Sequence, residues 1–161
     1  MDDKFPMTPA GHRKLKAELR QVRDVDRHEN VREIEAALEH GDLKENAEYH
    51  AAKERQAQIN GRMRMLEYHL AHAVVIDPAT VKSEKVAFGA TVTLTDLDSD
   101  EVVVYSIVGE DEADAERGLI NVNSPIARAM IGKSEGDEVL VKLPRGDREF
   151  ELMSLEFKPV S

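Results

Sequence analysis

Two carboxylates three residues apart, Asp42 and Glu45, stand in the run His40-Gly41-Asp42-Leu43-Lys44-Glu45-Asn46-Ala47-Glu48-Tyr49. Carboxylate oxygens suit a hard cation such as Mg²⁺, which keeps several waters and shares its other positions with substrate phosphates. The same spacing fits a capping box, in which Asp42 accepts from free backbone N–H groups and Glu45 reaches back, both favoured by the positive end of a helix. Spacing leaves both roles open, and two carboxylates make only an incomplete metal site. No nearby set of nucleophile, base and orienting group suggests independent catalysis, so any chemistry here needs a partner to complete it.

Cations lie close by. Lys44, Lys53 and Arg55 flank the acidic pair, and Arg62 and Arg64 sit further along the same helical pattern. Such a strip can attract an RNA backbone, while each member also fits a solvated helix face with partners four residues away. All six histidines, His12, His28, His40, His50, His69 and His72, fall in the first half. His69 and His72 lack a nearby third ligand and read as ordinary exposed side chains, whereas His40 beside the pair can tune local charge near neutral pH.

The elements that hold these residues are long. Thr8-Pro9 is a helix start, a capping hydroxyl followed by a proline whose missing N–H costs nothing in the first turn. Leu15, Leu19 and Val22 follow coiled-coil spacing, a polar run at 26–30 interrupts it, and Val31, Ile34 and Leu38 resume out of phase. This predicts one helix over residues 8–39 with a local bend or stutter, about 48 Å long at 1.5 Å per residue. Past Gly41, the residues Ile59, Met63, Leu66, Leu70 and Ala73 step by four, three, four and three, the heptad seam of a second long helix. Two such helices joined by a short turn run antiparallel, with Asp42 and Glu45 at the tip. The narrow apolar stripe leaves little surface for further helices, which disfavours a larger helical bundle.

From Pro78 the pattern changes to short β runs at 90–95 and 101–107 around the turn-forming 96–100, with further strands at 119–122, 139–143 and 149–152. Ser124-Pro125 opens a short helix that stops near Gly132. The expected class is therefore α+β in two domains, a helical hairpin over 1–77 and a small α+β domain over 78–161.

Composition narrows the function. With no cysteine, thiolate catalysis, disulfides and cysteine-ligated metal centres are excluded. The net charge of −10 opposes stable binding to free nucleic acid, which needs clustered cations that release counterions. Residues 75–161 carry most of it, with 9 Lys/Arg against 18 Asp/Glu, while residues 1–74 are nearly balanced at 13 against 14. No run approaches the roughly 20 apolar residues of a membrane span, and the start lacks the features of a signal peptide. A cytoplasmic protein without a membrane partner is expected.

The segment 41–49 resembles the tip of the GreA and GreB transcript-cleavage factors. Two further blocks, 108–114 (Val-Gly-Glu-Asp-Glu-Ala-Asp) and 120–129 (Ile-Asn-Val-Asn-Ser-Pro-Ile-Ala-Arg-Ala), resemble the same family in the same order, so nearly the whole chain is covered. The resemblance implies a coiled coil inserted through the secondary channel of bacterial RNA polymerase and an FKBP-like second domain docking near the channel entrance. Its two tip acidic residues correspond to Asp42 and Glu45, which would help hold a second Mg²⁺ and its attacking water in the polymerase's own centre. No tightly bound cofactor is implied for the free protein. The implied outcome is endonucleolytic cleavage of backtracked RNA near its 3′ end, with the chain an accessory factor rather than an enzyme. Lys53 falls at a position that is usually basic in the family. Leu38 departs from it, standing where a basic residue is common, which implies a smaller basic patch.

Two other functions compete. An FKBP-like domain raises a prolyl isomerase or peptide-binding module, but residues 75–161 hold no Trp and, as aromatics, only Phe88, Tyr105, Phe150 and Phe157, too few for an aromatic-lined proline pocket. A channel-binding inhibitor would share the coiled coil and differ at the tip, where this sequence keeps both carboxylates.

Overall fold

The computed structural model describes residues 3–41 and 45–160. Its contacts form two compact units, Arg13–His72 and a second made of Met1–His12 with Ala73–Ser161. The fold is α+β in two domains, a helical hairpin and a curled sheet. Residues before Arg13 thus group with the β-rich part of the chain, although they precede the hairpin in sequence.

One continuous helix runs from Pro9 to Leu38 as α1 (Pro9–Gln21), a π-helical turn (Val22–Asp26) and α2 (Arg27–Leu38). The Thr8 hydroxyl caps it, accepting from the Gly11 N–H at 3.1 Å. The helix α3 spans Ala47–Ala71. Side-chain ties join residue 30 to 52, 29 and 33 to 55, and 18 to 62, and this falling-against-rising order makes the hairpin antiparallel.

The expected stutter is the π turn, which lies a little upstream of the polar run. A π turn inserts one residue into the helical repeat and so rotates everything after it. Leu15 is buried before it, Val22 at its first residue, and Asn30 and Ala37 after it. The expected stripe of Val31, Ile34 and Leu38 is therefore corrected: Val31 and Leu38 are 44% and 46% exposed, and only Ile34 is half-buried. Asn30 is tolerated inside because its amide donates to the Ala52 carbonyl at 2.9 Å, leaving no donor stranded. In α3 the seam holds as read, with Ala52, Ile59 and Leu66 buried at a strict seven-residue interval and Met63 and Leu70 half-buried.

Ala73 is not the last heptad position. The helix ends at Ala71, and Ala73–Val75 forms β2, which pairs in parallel with β1 (Phe5–Met7). The β-branched pair Val74-Val75 favours extended backbone, and β1 supplies the ladder partner that local patterning could not reveal.

The remaining strands are β3 (Ala90–Asp96), β4 (Val102–Val108), β5 (Leu119–Asn121), β6 (Glu138–Val141) and β7 (Arg148–Phe157), and the short helix is α4 (Pro125–Met130). They form one sheet in the order β5-β4-β3-β7-β6, antiparallel except for β4 with β5. Alternate residues Val92, Leu94, Val139, Val141, Phe150 and Leu152 point to one face, where Ala127 and Met130 of α4 join the core. Burial of these side chains at about 25 cal/mol per Å² of apolar surface holds the unit together. Among the described residues no helix is long and apolar enough to cross a membrane.

Candidate functional site

The tip is built from the ends of α2 and α3. Beyond Leu38 the chain tightens, His40 N–H bonding the Ala37 carbonyl at 3.1 Å, and Gly41 turns away from the helix with φ at +92°, a conformation that favours glycine. Asp42 and Lys44 lie outside the described residues. Glu45 is exposed, and the chain re-enters helix at Ala47.

Asn46 joins both ends. Its side-chain oxygen accepts from the Tyr49 N–H at 3.0 Å, which caps α3, and its amide donates to the Ala37 carbonyl at 2.7 Å, near the end of α2. One residue thus satisfies a free donor of one helix and bonds a carbonyl in the last turn of the other. The capping box read from Asp42 and Glu45 is therefore not how α3 begins, since Asn46 is its cap and Tyr49 occupies the third helical position. An Asn directly before a helical run is itself a capping signal, and the acidic pair just ahead of it masked it.

Charges surround this end. Glu48 lies in the first turn of α3, where the helix dipole favours a carboxylate, and the His40 Nε2 lies 3.3 Å from that carboxylate. Lys53 is exposed. Arg55 is engaged across the hairpin by Glu33 and by Glu29, the latter at 3.6 Å. Desolvation alone would lower its pKa, but the hydrogen bonds and charges of Glu33 and Glu29 outweigh that and hold the guanidinium above its usual value. Arg62 is tied to Glu18 by its Nε at 2.7 Å. Of the flanking cations, Lys53 and Arg64 are exposed, whereas Arg55 and Arg62 also brace the hairpin.

Among the described residues, no group of three or more His, Cys, Asp or Glu side chains is arranged to hold a metal ion. His69 and His72, expected to be exposed, are instead half-buried: His72 Nδ1 lies 2.9 Å from the Tyr68 carbonyl, and its ring lies 4.4 Å from the Tyr68 ring, tilted by 44°. At the tip, the exposed Glu45 carboxylate offers the hard oxygen donor that Mg²⁺ prefers, so its donor chemistry fits that ion while needing ligands from elsewhere.

Both parts of the chain match families of transcription elongation factors. Residues 5–75 match the family described as Transcription elongation factor, N-terminal, and residues 81–157 match Transcription elongation factor, GreA/GreB, C-term. The Transcription elongation factor GreA of Alkalilimnicola ehrlichii is 54% identical over 155 residues, covering 96% of this chain and 98% of that protein. The one from Halorhodospira halophila is 52% identical over 156 residues, covering 96% and 99%. A solved structure, the GreA factor homolog 1 of Thermus thermophilus, is 26% identical with a TM-score of 0.45, covering 96% and 99%. The chain belongs to the GreA/GreB family of transcription elongation factors.

Proposed function

We propose that this elongation factor rescues backtracked bacterial RNA polymerase by stimulating cleavage of the nascent RNA near its 3′ end, with Asp42 and Glu45 delivered by the hairpin into the polymerase's active centre. The observation that carries this reading is Asn46. Because it caps α3 and bonds back to α2, the end of the hairpin is braced without Glu45, whose exposed carboxylate remains available to a partner.

The chain's residues divide the work. Asn46 and Gly41 shape the ends of the two helices, Asp42 and Glu45 present oxygen donors, and Lys53 offers a cation to the displaced RNA phosphates, with Lys44 and Arg55 as further candidates. A Mg²⁺ shared with the polymerase would polarise the scissile phosphate and lower the pKa of a bound water. The carboxylates orient that water and screen nothing from solvent by themselves, so the polymerase must enclose the reaction. The factor is accordingly an accessory in the cytoplasm, not an independent enzyme, and it binds free nucleic acid weakly because of its net charge of −10.

The test is to add the protein to a stalled, backtracked elongation complex with Mg²⁺ and resolve the RNA lengths. Shortened transcripts that can be extended again support the proposal. Unchanged RNA with slowed nucleotide addition would instead identify a channel-blocking inhibitor. The prolyl isomerase reading is not favoured by the depression lined by Ser83, Glu84, Ser134, Glu135 and Leu155, whose lining contains no aromatic side chain.

A further inference from the structure

The block 108–114 contains a carboxylate that the tip chemistry does not use. Glu112 reaches the start of the long helix, 104 residues away in sequence. Its Oε2 accepts from the backbone N–H of Thr8 at 3.1 Å and from that of Gly109 at 3.1 Å, while its Oε1 accepts from the Thr8 hydroxyl. Thr8 is only 2% exposed, and its hydroxyl oxygen in turn accepts from the Gly11 N–H. All of these residues belong to the unit of Met1–His12 and Ala73–Ser161.

Two glycines make room for this carboxylate. A Cβ on Gly11 would lie 2.2 Å from the Glu112 Cδ and 2.4 Å from its Cγ, so no side chain fits there while Glu112 is seated. A Cβ on Gly109 would lie 2.4 Å from the Pro6 carbonyl oxygen and 3.1 Å from Glu112 Oε2. The negative charge also sits at the positive end of the helix, where it is favoured.

We propose that Glu112 is a positioning residue, a carboxylate clasp that holds the first turn of the long helix, the element that carries the tip carboxylates. This rests on the cleavage reading above. Catalytic groups misplaced by about 1 Å can lose about a hundredfold in rate, so a loosened first turn in the helix that carries them costs rate before it costs affinity. Surface docking of the sheet unit does not depend on the clasp, and affinity and rate should therefore separate.

The experiment uses the full chain and its Glu112→Ala, Glu112→Gln and Glu112→Asp variants on backtracked complexes, titrated to saturation. For Glu112→Ala the saturated cleavage rate should fall about tenfold or more, with the half-saturating concentration changing much less. Glutamine should restore most of that rate, because its oxygen still accepts from Thr8 and Gly109 and its amide donates to the Thr8 hydroxyl oxygen. Aspartate keeps the charge but is one methylene short, and should resemble alanine; it also serves if Glu112→Ala does not fold. Thermal melts add a readout independent of cleavage: Gly11→Ala should lower the Tm of the unmodified chain and raise it in the Glu112→Ala background, where the clash is gone and alanine favours helix. An unchanged saturated rate in both the Ala and Asp variants, or a Gln variant as defective as Ala, would overturn the positioning role. The same sign of Tm change in both backgrounds would overturn the clasp itself. No cleavage stimulation by the unmodified chain would instead overturn the functional reading of the tip, and the melts would still decide the clasp.

Discussion

At the tip, the two polar side-chain atoms of Asn46 cap α3 and tie it to α2, while Gly41 supplies the positive φ that turns the chain away from α2. Because Asn46 holds the cap, converting the acidic pair to amides should leave the hairpin intact. The variant Asp42→Asn with Glu45→Gln is expected to bind polymerase, keep its helical circular dichroism, and lose stimulated cleavage by a factor of about a hundred or more, since amide oxygens are poor Mg²⁺ ligands. Retained cleavage would remove both residues from the chemistry. Lys53→Glu should weaken stimulation more at low than at high salt, because a long-range charge contact is screened over about 10 Å at 0.1 M. Arg55→Glu should instead lower stability, since it faces Glu29 and Glu33 with a like charge. In the sheet unit, Asp96 is buried and bonds Arg148 at 2.6 Å and the Asp98 and Ser99 N–H groups. The Arg148 hydrogen bond, then the Asp98 N–H, holds its carboxyl below the ordinary 3.8. The unfolded chain therefore takes up the proton first as pH falls, so the stabilisation is complete above about 3.8 and is lost as pH drops through the lower folded value. Asp96→Asn should melt lower than the unmodified chain at pH 7, with the gap closing in acid below that range.

At the level of elements, the π turn at Val22–Asp26 has the largest consequence. By adding one residue to the repeat it moves the inner positions from Glu29 and Ala36, the seven-residue continuation of Leu15 and Val22, to Asn30 and Ala37, and the small Ala37 and Ala52 allow close helix approach. The outward-facing Leu38 then sits at the last position of α2, the place where the family resemblance led us to expect a basic residue. Asn30 carries a single buried hydrogen bond, so Asn30→Asp should destabilise the hairpin by about 2 kcal/mol or more, because it replaces a donor with a carboxylate facing a carbonyl. Asn30→Ala, which strands no charge, should cost about 1 kcal/mol. Urea unfolding midpoints at pH 7 compare the two directly, and equal midpoints would contradict the inward placement of this amide.

For the whole molecule, the proposed function divides presentation from docking between the two units. A chain of residues 1–77 keeps both helices and both β1 and β2 but loses the Glu112 contact. It should remain helical and stimulate cleavage only at raised concentration and with a reduced saturated rate, while residues 78–161 should give no stimulation at all. Transcript lengths across a concentration series for each piece measure this, and full activity from the second piece would reverse the assignment. The uneven charge belongs to this scale too, since the acidic half opposes contact with free nucleic acid, whereas under the proposed function the nearly neutral half is the one that would approach RNA.

Much of this was readable in one dimension. Heptad spacing at Ile59, Met63, Leu66 and Leu70 and the cap at Thr8-Pro9 are local patterns, enforced by helix geometry over a few residues, so both helices and their antiparallel course could be read from sequence. The β runs with their turns were legible for the same reason, and the block 41–49 carried the family. Tertiary structure decided what local patterns cannot encode. The register after Val22 depends on one extra residue in a turn whose stability comes from the opposing helix. The pairing of Phe5–Met7 with Ala73–Val75 joins segments with the whole hairpin between them. The role of Glu112 follows from contacts 104 residues apart, where two glycines leave room for a carboxylate that in sequence is one acid among several. Hydrogen bonds of this kind carry no periodicity, and only the folded chain brings their partners within reach.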